Sequence, residues 1–345
     1  MKGTALRVPR AKGEETRRAL RSVGVIRDDV EVLHEGDWVA FPLLEGVVVP
    51  PQWGEVVERD LRPRRARAPS DYRELLHLPP EPTAQLPRSF DVVGDMVLVR
   101  LPDELTRYAA EIGRALLAFV PGARIVGADH GVHGADRRRS IEAIAGAGGW
   151  RSLHRENGIE LDVDLEKAYF SPRLAREHAR VAAAVVRGER VYDLCCGVGP
   201  FSLAVARDAR AASITAVDAN PDALVLLRAS LARLASRVPV TAREAPVEVF
   251  STTAEPVDRV IFNLPLEGIK YLPSVARTVA RAGHLHYYEV VPRRERGRRG
   301  DAIVRTLGDP EEWTLEEVRV IHPYSPAADL TAFDIVRSPT PAEGG

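Results

Sequence analysis

Cysteine is almost missing from this chain of 345 residues: there are two, Cys195 and Cys196, and they are adjacent. Neighbouring residues cannot be bridged to each other without severe strain. Nothing else offers metal-ligand spacing, so neither a disulfide nor a metal is expected. No apolar run is long enough to span a bilayer, and Met1-Lys-Gly-Thr-Ala-Leu-Arg7 lacks a secretory apolar core. A cytoplasmic protein without a membrane partner is expected. An excess of one charge is absent too, since 48 Lys and Arg against 49 Asp and Glu leave a net −1. That balance excludes a uniformly basic nucleic-acid binder. Internal repeats and low-complexity tracts are also lacking, and the length calls for two or three domains.

The arginines that are present are clustered, at Arg62 to Arg67, Arg137 to Arg139 and Arg293 to Arg299. Each cluster reads either as a set of phosphate contacts or as a solvated surface.

Three segments carry the chemistry. Val191-Tyr-Asp-Leu-Cys-Cys-Gly-Val-Gly-Pro-Phe-Ser202 is a short apolar strand holding an acid, then a glycine turn, then the start of an apolar helix. Gly197 and Gly199 let the backbone approach a ligand closely, because no Cβ intervenes. The next strand ends in Ala216-Val-Asp-Ala219, so Asp218 stands about twenty residues past the glycines, the spacing of a ribose-binding acid. This fits S-adenosylmethionine or NAD. The third glycine of the dinucleotide fingerprint is missing, which favours S-adenosylmethionine. The third segment, Asn263-Leu-Pro265, closes a later strand.

Organisation follows from periodicity. Residues 1–55 read as a small α+β module with a helix over 12–22, and 56–89, rich in charge and proline, reads as a linker with a short helix over 72–78. Residues 90–165 form a second α+β module, with a strand broken at Gly94. From residue 166 to 345 strands and helices alternate: helix 179–186, strand 191–194, helix 201–207, strand 213–217, helix 223–235, strand 259–262, helix 272–282, strand 284–290 and a closing pair, 313–322 and 331–337. That alternation predicts an α/β fold, a doubly wound and mostly parallel sheet with its ligand at the carboxyl ends of the strands.

Colinear segments resemble one family, the archaeal and eukaryotic tRNA (guanine-37-N1)-methyltransferases, whose catalytic domain is of Rossmann type. They are Phe90-Asp-Val-Val-Gly-Asp95, His154-Arg-Glu-Asn-Gly158, Lys167-Ala-Tyr-Phe-Ser-Pro-Arg173, the 193–202 turn, Asn263-Leu-Pro265 with Tyr271-Leu-Pro273, and Tyr324-Ser-Pro326. The resemblance implies methylation of N1 of the guanosine 3′ of the anticodon in tRNA, with S-adenosylmethionine as cofactor, by a monomer. N1 carries a proton at neutral pH, so the reaction needs a base there and a donor for charge growing on O6. Carried over by motif, the catalytic roles fall on Glu177, Arg137 and Asn263, with Arg139 as the alternative to Arg137. The implied cofactor contacts are His178, Asp193, Gly197, Gly199, Asp218, Ala219, Thr241, Ala242, Asn263 and Pro265.

Bland readings stand beside these. Glu177 at a helix start satisfies the dipole, Arg137 lies in an arginine triplet, and Asn263 and Pro265 could simply end a strand. The chain also departs from the family. His178 replaces an arginine, and Thr241 replaces an acid, leaving Thr241, the backbone at Ala242 or Glu244 to meet adenine. The rival readings are a wybutosine-pathway transferase acting at the same tRNA position, a carbon methylation of that pathway's precursor, a silent tRNA-binding protein and a small-molecule methyltransferase.

Overall fold

The computed structural model of the protein describes residues 1–64, 69–133 and 138–339. The chain divides into two compact units, Met1–Ser70 and Asp71–Gly345. In the first, β1 (Lys2–Pro9), α1 (Gly13–Ser22), β2 (Leu33–Glu35), β3 (Trp38–Pro42) and β4 (Glu55–Asp60) form an antiparallel sheet in the order β2-β3-β1-β4 with one helix. Leu6, Val8, Leu20, Val39 and Phe41 make its core. The expected boundary at residue 55 is corrected here. β4 pairs with β1 from Lys2↔Asp60 to Arg7↔Glu55, so the first unit runs past the start of the supposed linker. An edge strand with no fully buried residue has no apolar face to betray it.

The second unit opens with a short 3-10 turn at Tyr72–Leu75 and α2 (Pro80–Gln85). Its described part from residue 71 onward is therefore also structured, with Tyr72 and Leu86 of the supposed linker buried in the core of the next module. β5 (Asp91–Val93), β6 (Met96–Val99), α3 (Ala109–Phe119), β7 (Ile125–His133) and β8 (Arg138–Gly146) give a four-stranded sheet in the order β5-β6-β7-β8. Gly94 turns β5 back on β6 as a hairpin. Its φ is +58°, and a Cβ there would lie 2.1 Å from Ser152 Oγ, so two constraints demand glycine.

The hairpin β9 (Arg151–Glu156) and β10 (Ile159–Asp164) comes next. The expected boundary at 165/166 cuts through a core that the structure leaves whole. Ile159, Leu161, Val163 and Leu165 pack with Leu203, Val205, Leu224 and Leu227 of the following sheet domain.

That domain comprises α4 (Ala175–Ala184), β11 (Arg190–Leu194), α5 (Pro200–Asp208), β12 (Ser213–Asp218), α6 (Pro221–Arg233), β13 (Val240–Glu244), α7 (Val247–Thr253), β14 (Val257–Phe262), α8 (Leu272–Val275), β15 (Val279–Pro292), α9 (Arg296–Leu307), β16 (Trp313–Ser325) and β17 (Ala328–Arg337). The sheet order is β13-β12-β11-β14-β15-β17-β16, parallel except for β17, which runs antiparallel to both of its neighbours. Residues of α4, α5 and α6 cover one face and residues of α7, α8 and α9 the other. The order reverses between β11 and β14, and such a switch point opens a crevice beyond the carboxyl ends of the strands. Among the described residues no helix is long and apolar enough to cross a membrane, and neither cysteine is bridged in a disulfide.

Candidate active site

β11 ends at Leu194 and the chain then turns sharply, with Cys195 at φ +59°, Gly197 at +57° and Gly199 at +77°. Glycine adopts this conformation without strain, whereas Cys195 does so at a cost that tends to mark functional loops. A Cβ on Gly199 would also stand 2.3 Å from Leu227 Cδ1. The turn is braced by the acid of the neighbouring strand. Asp218 Oδ2 accepts from Gly197 N at 2.7 Å, and Oδ1 accepts from Asn220 N at 2.9 Å. A carboxylate oxygen takes two donors, so this brace leaves the geometry of a diol acceptor intact. Ala219 follows, exposed at the rim.

Asp193 lies beneath the turn, 1% exposed. Its Oδ2 accepts from Ser202 N at 3.0 Å and Ser202 Oγ at 2.6 Å, while Oδ1 is buried without a hydrogen bond. Burial pushes this carboxyl up to about 7; the Ser202 donors pull it down and the nearby Asp218 charge adds to the rise. Among the described residues this acid has no cationic partner. The left-handed glycine turn, the orphaned Asp193 oxygen and Asp218 at the next strand end fit an adenosyl amino acid. Its ammonium would answer the first acid and its ribose the second.

Across the switch point, β14 ends at Phe262 and Asn263-Leu-Pro265 follows. Gly268 N donates to Leu264 O at 2.7 Å, closing the loop on itself, and Val290 N donates to Pro265 O at 2.8 Å, pinning it to β15. Asn263 Oδ1 is buried and without a partner among the described residues. Such an orphan costs roughly 1–3 kcal/mol unless a donor arrives.

Glu177, in the first turn of α4, is 5% exposed. Its Oε1 accepts from Arg180 Nε at 3.0 Å, Arg180 Nη2 at 2.6 Å, Arg319 Nη2 at 3.0 Å and Tyr288 Oη at 2.9 Å. Burial acts to raise this carboxyl, but Arg180, Arg319 and Tyr288 outweigh it and hold it below the ordinary glutamate value. Glu177 is an anion at neutral pH, with all four of these hydrogen bonds on one oxygen.

Comparison with known proteins agrees with this geometry. The family model for the TRM5/TYW2 methyltransferase domain matches residues 152–311, and that for the TYW2 N-terminal domain matches 72–149. A tRNA (guanine(37)-N(1))-methyltransferase, Trm5b of Pyrococcus abyssi, is 33% identical over 343 residues, covering 98% of this chain and 96% of its own. The chain belongs to the tRNA (guanine-37-N1)-methyltransferase family. A crystal structure of Trm5b from Pyrococcus abyssi superposes with a TM-score of 0.74 at 32% identity, covering 97% of this chain and 99% of the other. The structure of aTrm5 in complex with tRNALeu does so with 0.75 at 27% identity and the same coverage.

Not every residue expected from the family motifs reaches the rim. Arg137 lies outside the described residues. Its alternative, Arg139, has a side chain 5% exposed; it pairs with Asp129 at 2.6 Å, donates to Phe170 O at 3.0 Å and packs over the Tyr169 ring. That arginine is committed to holding β7 and β8 against the Tyr169-Phe170 segment. His178 does not face the crevice. It is 1% exposed, stacked edge-on against Phe201 with centroids 4.5 Å apart, and its Nδ1 lies 2.6 Å from Glu156 Oε1. Two histidines flank Glu156, His178 in hydrogen-bond contact and His154 Nε2 3.6 Å from Oε2; burial works to raise this acid, yet the two imidazoles bring it down to about 2.

Thr241 is exposed on the edge strand and pairs with Thr215, three residues before the Asp218 end of β12, which sets it about 10 Å below the rim. Ala242 pairs with Ala216 and packs toward the core. Glu244, level with Asp218, is the residue of β13 that reaches the rim.

Sequence reading missed Arg180, Tyr288 and Arg319. Arg180 was available from its i,i+3 spacing to Glu177. Behind it lies a relay that sequence spacing does not reveal. Arg180 Nη1 pairs with Asp334 at 3.0 Å, His286 Nδ1 lies 2.7 Å from the same acid, and Arg259 Nη1 is 2.6 Å from His286 Nε2. Burial pushes His286 down, so it stays neutral, accepts from Arg259 and donates to Asp334.

Proposed function

We infer that this chain methylates N1 of guanosine 37 in tRNA, using S-adenosylmethionine, and that Glu177 is the base. The observation that carries the mechanism is the one-sided shell of Glu177. Arg180, Arg319 and Tyr288 saturate Oε1 and leave Oε2 as the oxygen to take the N1 proton. A low proton affinity keeps Glu177 ionised and ready, and its fixed rotamer supplies orientation.

Asn263, whose Oδ1 lacks a donor, is assigned to the base edge, where the guanine amino group would satisfy it. Arg137 is assigned to the charge growing on O6; that role rests on the family motif. Asp193, Gly197, Gly199, Asp218 and Ala219 hold the cofactor, with Pro265 fixing the loop beside it. Adenine falls to the end of β13, where Glu244 stands in place of Thr241. When bound, S-adenosylmethionine supplies an electrophilic methyl group. Asp193 and Asp218 orient it, and Glu177 with Asn263 orients the acceptor.

The first unit, Met1–Ser70, is assigned to reading tRNA, which its place in family members of matching length supports. We also infer a monomer acting in the cytoplasm.

Incubating unmodified tRNA with the enzyme and cofactor, then digesting it for mass spectrometry, tests the function. A gain of one methyl on guanosine 37 at N1 is expected. An aminocarboxypropyl adduct, or methylation only of a tricyclic base, would assign the chain to the wybutosine pathway instead.

A further inference from the structure

Five arginines and one glutamate occupy the seven residues Arg293 to Arg299. The structure divides them into two kinds. Arg293 donates to Asp329 at 3.1 Å, Arg296 pairs with the same acid, and Arg299 Nε donates to Glu289 at 2.6 Å. Asp329 and Glu289 are 3% and 6% exposed. These three arginines therefore neutralise buried carboxylates and anchor the start of α9 on β15 and β17.

Arg294 and Arg298 differ. Arg294 is 86% exposed and, among the described residues, its one ion pair is with its neighbour Glu295, at 3.5 Å, a surface pair worth little. Arg298 is exposed and, among the described residues, has no carboxylate within ion-pair distance. Both line an open depression of about 470 Å³, shared with Glu295, Arg299 and Ala302.

Its position is informative. β15 runs parallel to β14, so Pro292 and the arginines after it emerge on the same side of the sheet as Asn263. Val290, whose N–H holds Pro265 O at 2.8 Å, is three residues before Arg293. Two exposed cations, one in a weak pair with its neighbour and one with no carboxylate in reach among the described residues, thus stand beyond the rim on the loop's side, on an anchored backbone. A solvated arginine run elsewhere on the surface would have no such relation to the site.

We propose that Arg294 and Arg298 bind phosphates of the tRNA backbone flanking the target nucleoside, the inference resting on the tRNA reading above. Arginine forks suit phosphate oxygens, and a protein of net charge −1 must gather its phosphate contacts locally.

The test measures tRNA affinity of the full chain against KCl, for wild type, R294Q/R298Q, R294K/R298K and R305Q, with cofactor affinity measured in parallel. Two contacts to single-stranded RNA at about 0.7 each would lower the slope of log Kd on log salt by about 1.4, so between 50 and 200 mM the glutamine variant loses about sevenfold less affinity than wild type. The lysine variant should keep the wild-type slope, as should R305Q, on the same helix away from the depression, and cofactor affinity should be unchanged in all. A wild-type slope in R294Q/R298Q overturns the proposal, as does an equal drop in R305Q. Loss of cofactor binding in R294Q/R298Q and R294K/R298K alike would give the two arginines a structural role and also overturn it. Absence of tRNA methylation by the wild type would instead overturn the functional reading.

Discussion

Around Glu177 the chain supplies four donors from three side chains. Around Asp193 the described residues supply the two donors of Ser202 and none to Oδ1. Both acids are buried and both pay desolvation, yet one is held below its ordinary value and the other pushed up to about 7. The difference lies in where the compensating charge comes from. Glu177 has its cations built in, so it is an anion before any ligand arrives. Asp193 has none among the described residues, and its ionised form waits for a cation. The first arrangement suits a group that must receive a proton, and the second suits a group that must bind a cationic cofactor.

The largest effect should come from breaking the first region. Glu177→Gln should keep cofactor affinity and lose roughly 10²–10⁴ in the single-turnover rate, the worth of a positioned base. The wild-type rate should show no acidic limb from Glu177 above pH 5. A lowered folded pKa means that the stabilisation from its ion pairs is fully present above about 4.5 and is lost only as pH falls through the lower folded value. Near-normal rates in Glu177→Gln across pH would return this residue to a helix-capping role.

Breaking the second region should act on binding. Asp218→Ala removes a charge-assisted hydrogen bond worth roughly 1.5–3 kcal/mol, so cofactor affinity should fall about tenfold to a hundredfold by calorimetry. Unchanged affinity in a folded variant would remove Asp218 from the site. The smallest effect belongs to Tyr288→Phe, which deletes one of the four donors on Glu177. A net hydrogen bond of about 0.5–1.5 kcal/mol predicts a loss of about two- to tenfold in single-turnover rate with cofactor affinity intact. A loss as large as that of Glu177→Gln would make Tyr288 a participant and blur the division.

The two regions also differed in how far the sequence revealed them. The Asp193 turn was legible because its parts are local: an apolar strand, two glycines, and an acid one strand later. The shell of Glu177 was not, since Tyr288 and Arg319 lie 111 and 142 residues away and meet it only after the sheet has formed. Likewise, 272–282 read as a helix, but α8 and a 3-10 turn end by Thr278 and β15 begins at Val279, paired with Val257. Tertiary pairing overrode a sequence without strong β-preference there. The 296–307 helix escaped notice because Gly297, Gly300 and its arginines hide a stripe whose buried residues are Gly300, Ile303 and Leu307. His178 was misread for the opposite reason: a motif position was carried over although the side chain had changed, and an imidazole pairs inward with Glu156.

Cofactor affinity measured by calorimetry from pH 5.5 to 8.5, on wild type and Asp193→Asn, tests the contrast most directly. Asp193 is raised in the free protein, so below about pH 7 cation binding must first expel a proton. Wild-type affinity should rise up to about tenfold per pH unit below pH 7 and level off above it, with proton release on binding in the lower range. Asp193→Asn should bind weakly with no such rise. A wild-type affinity flat across that range, or a variant that keeps the pH dependence, would contradict it.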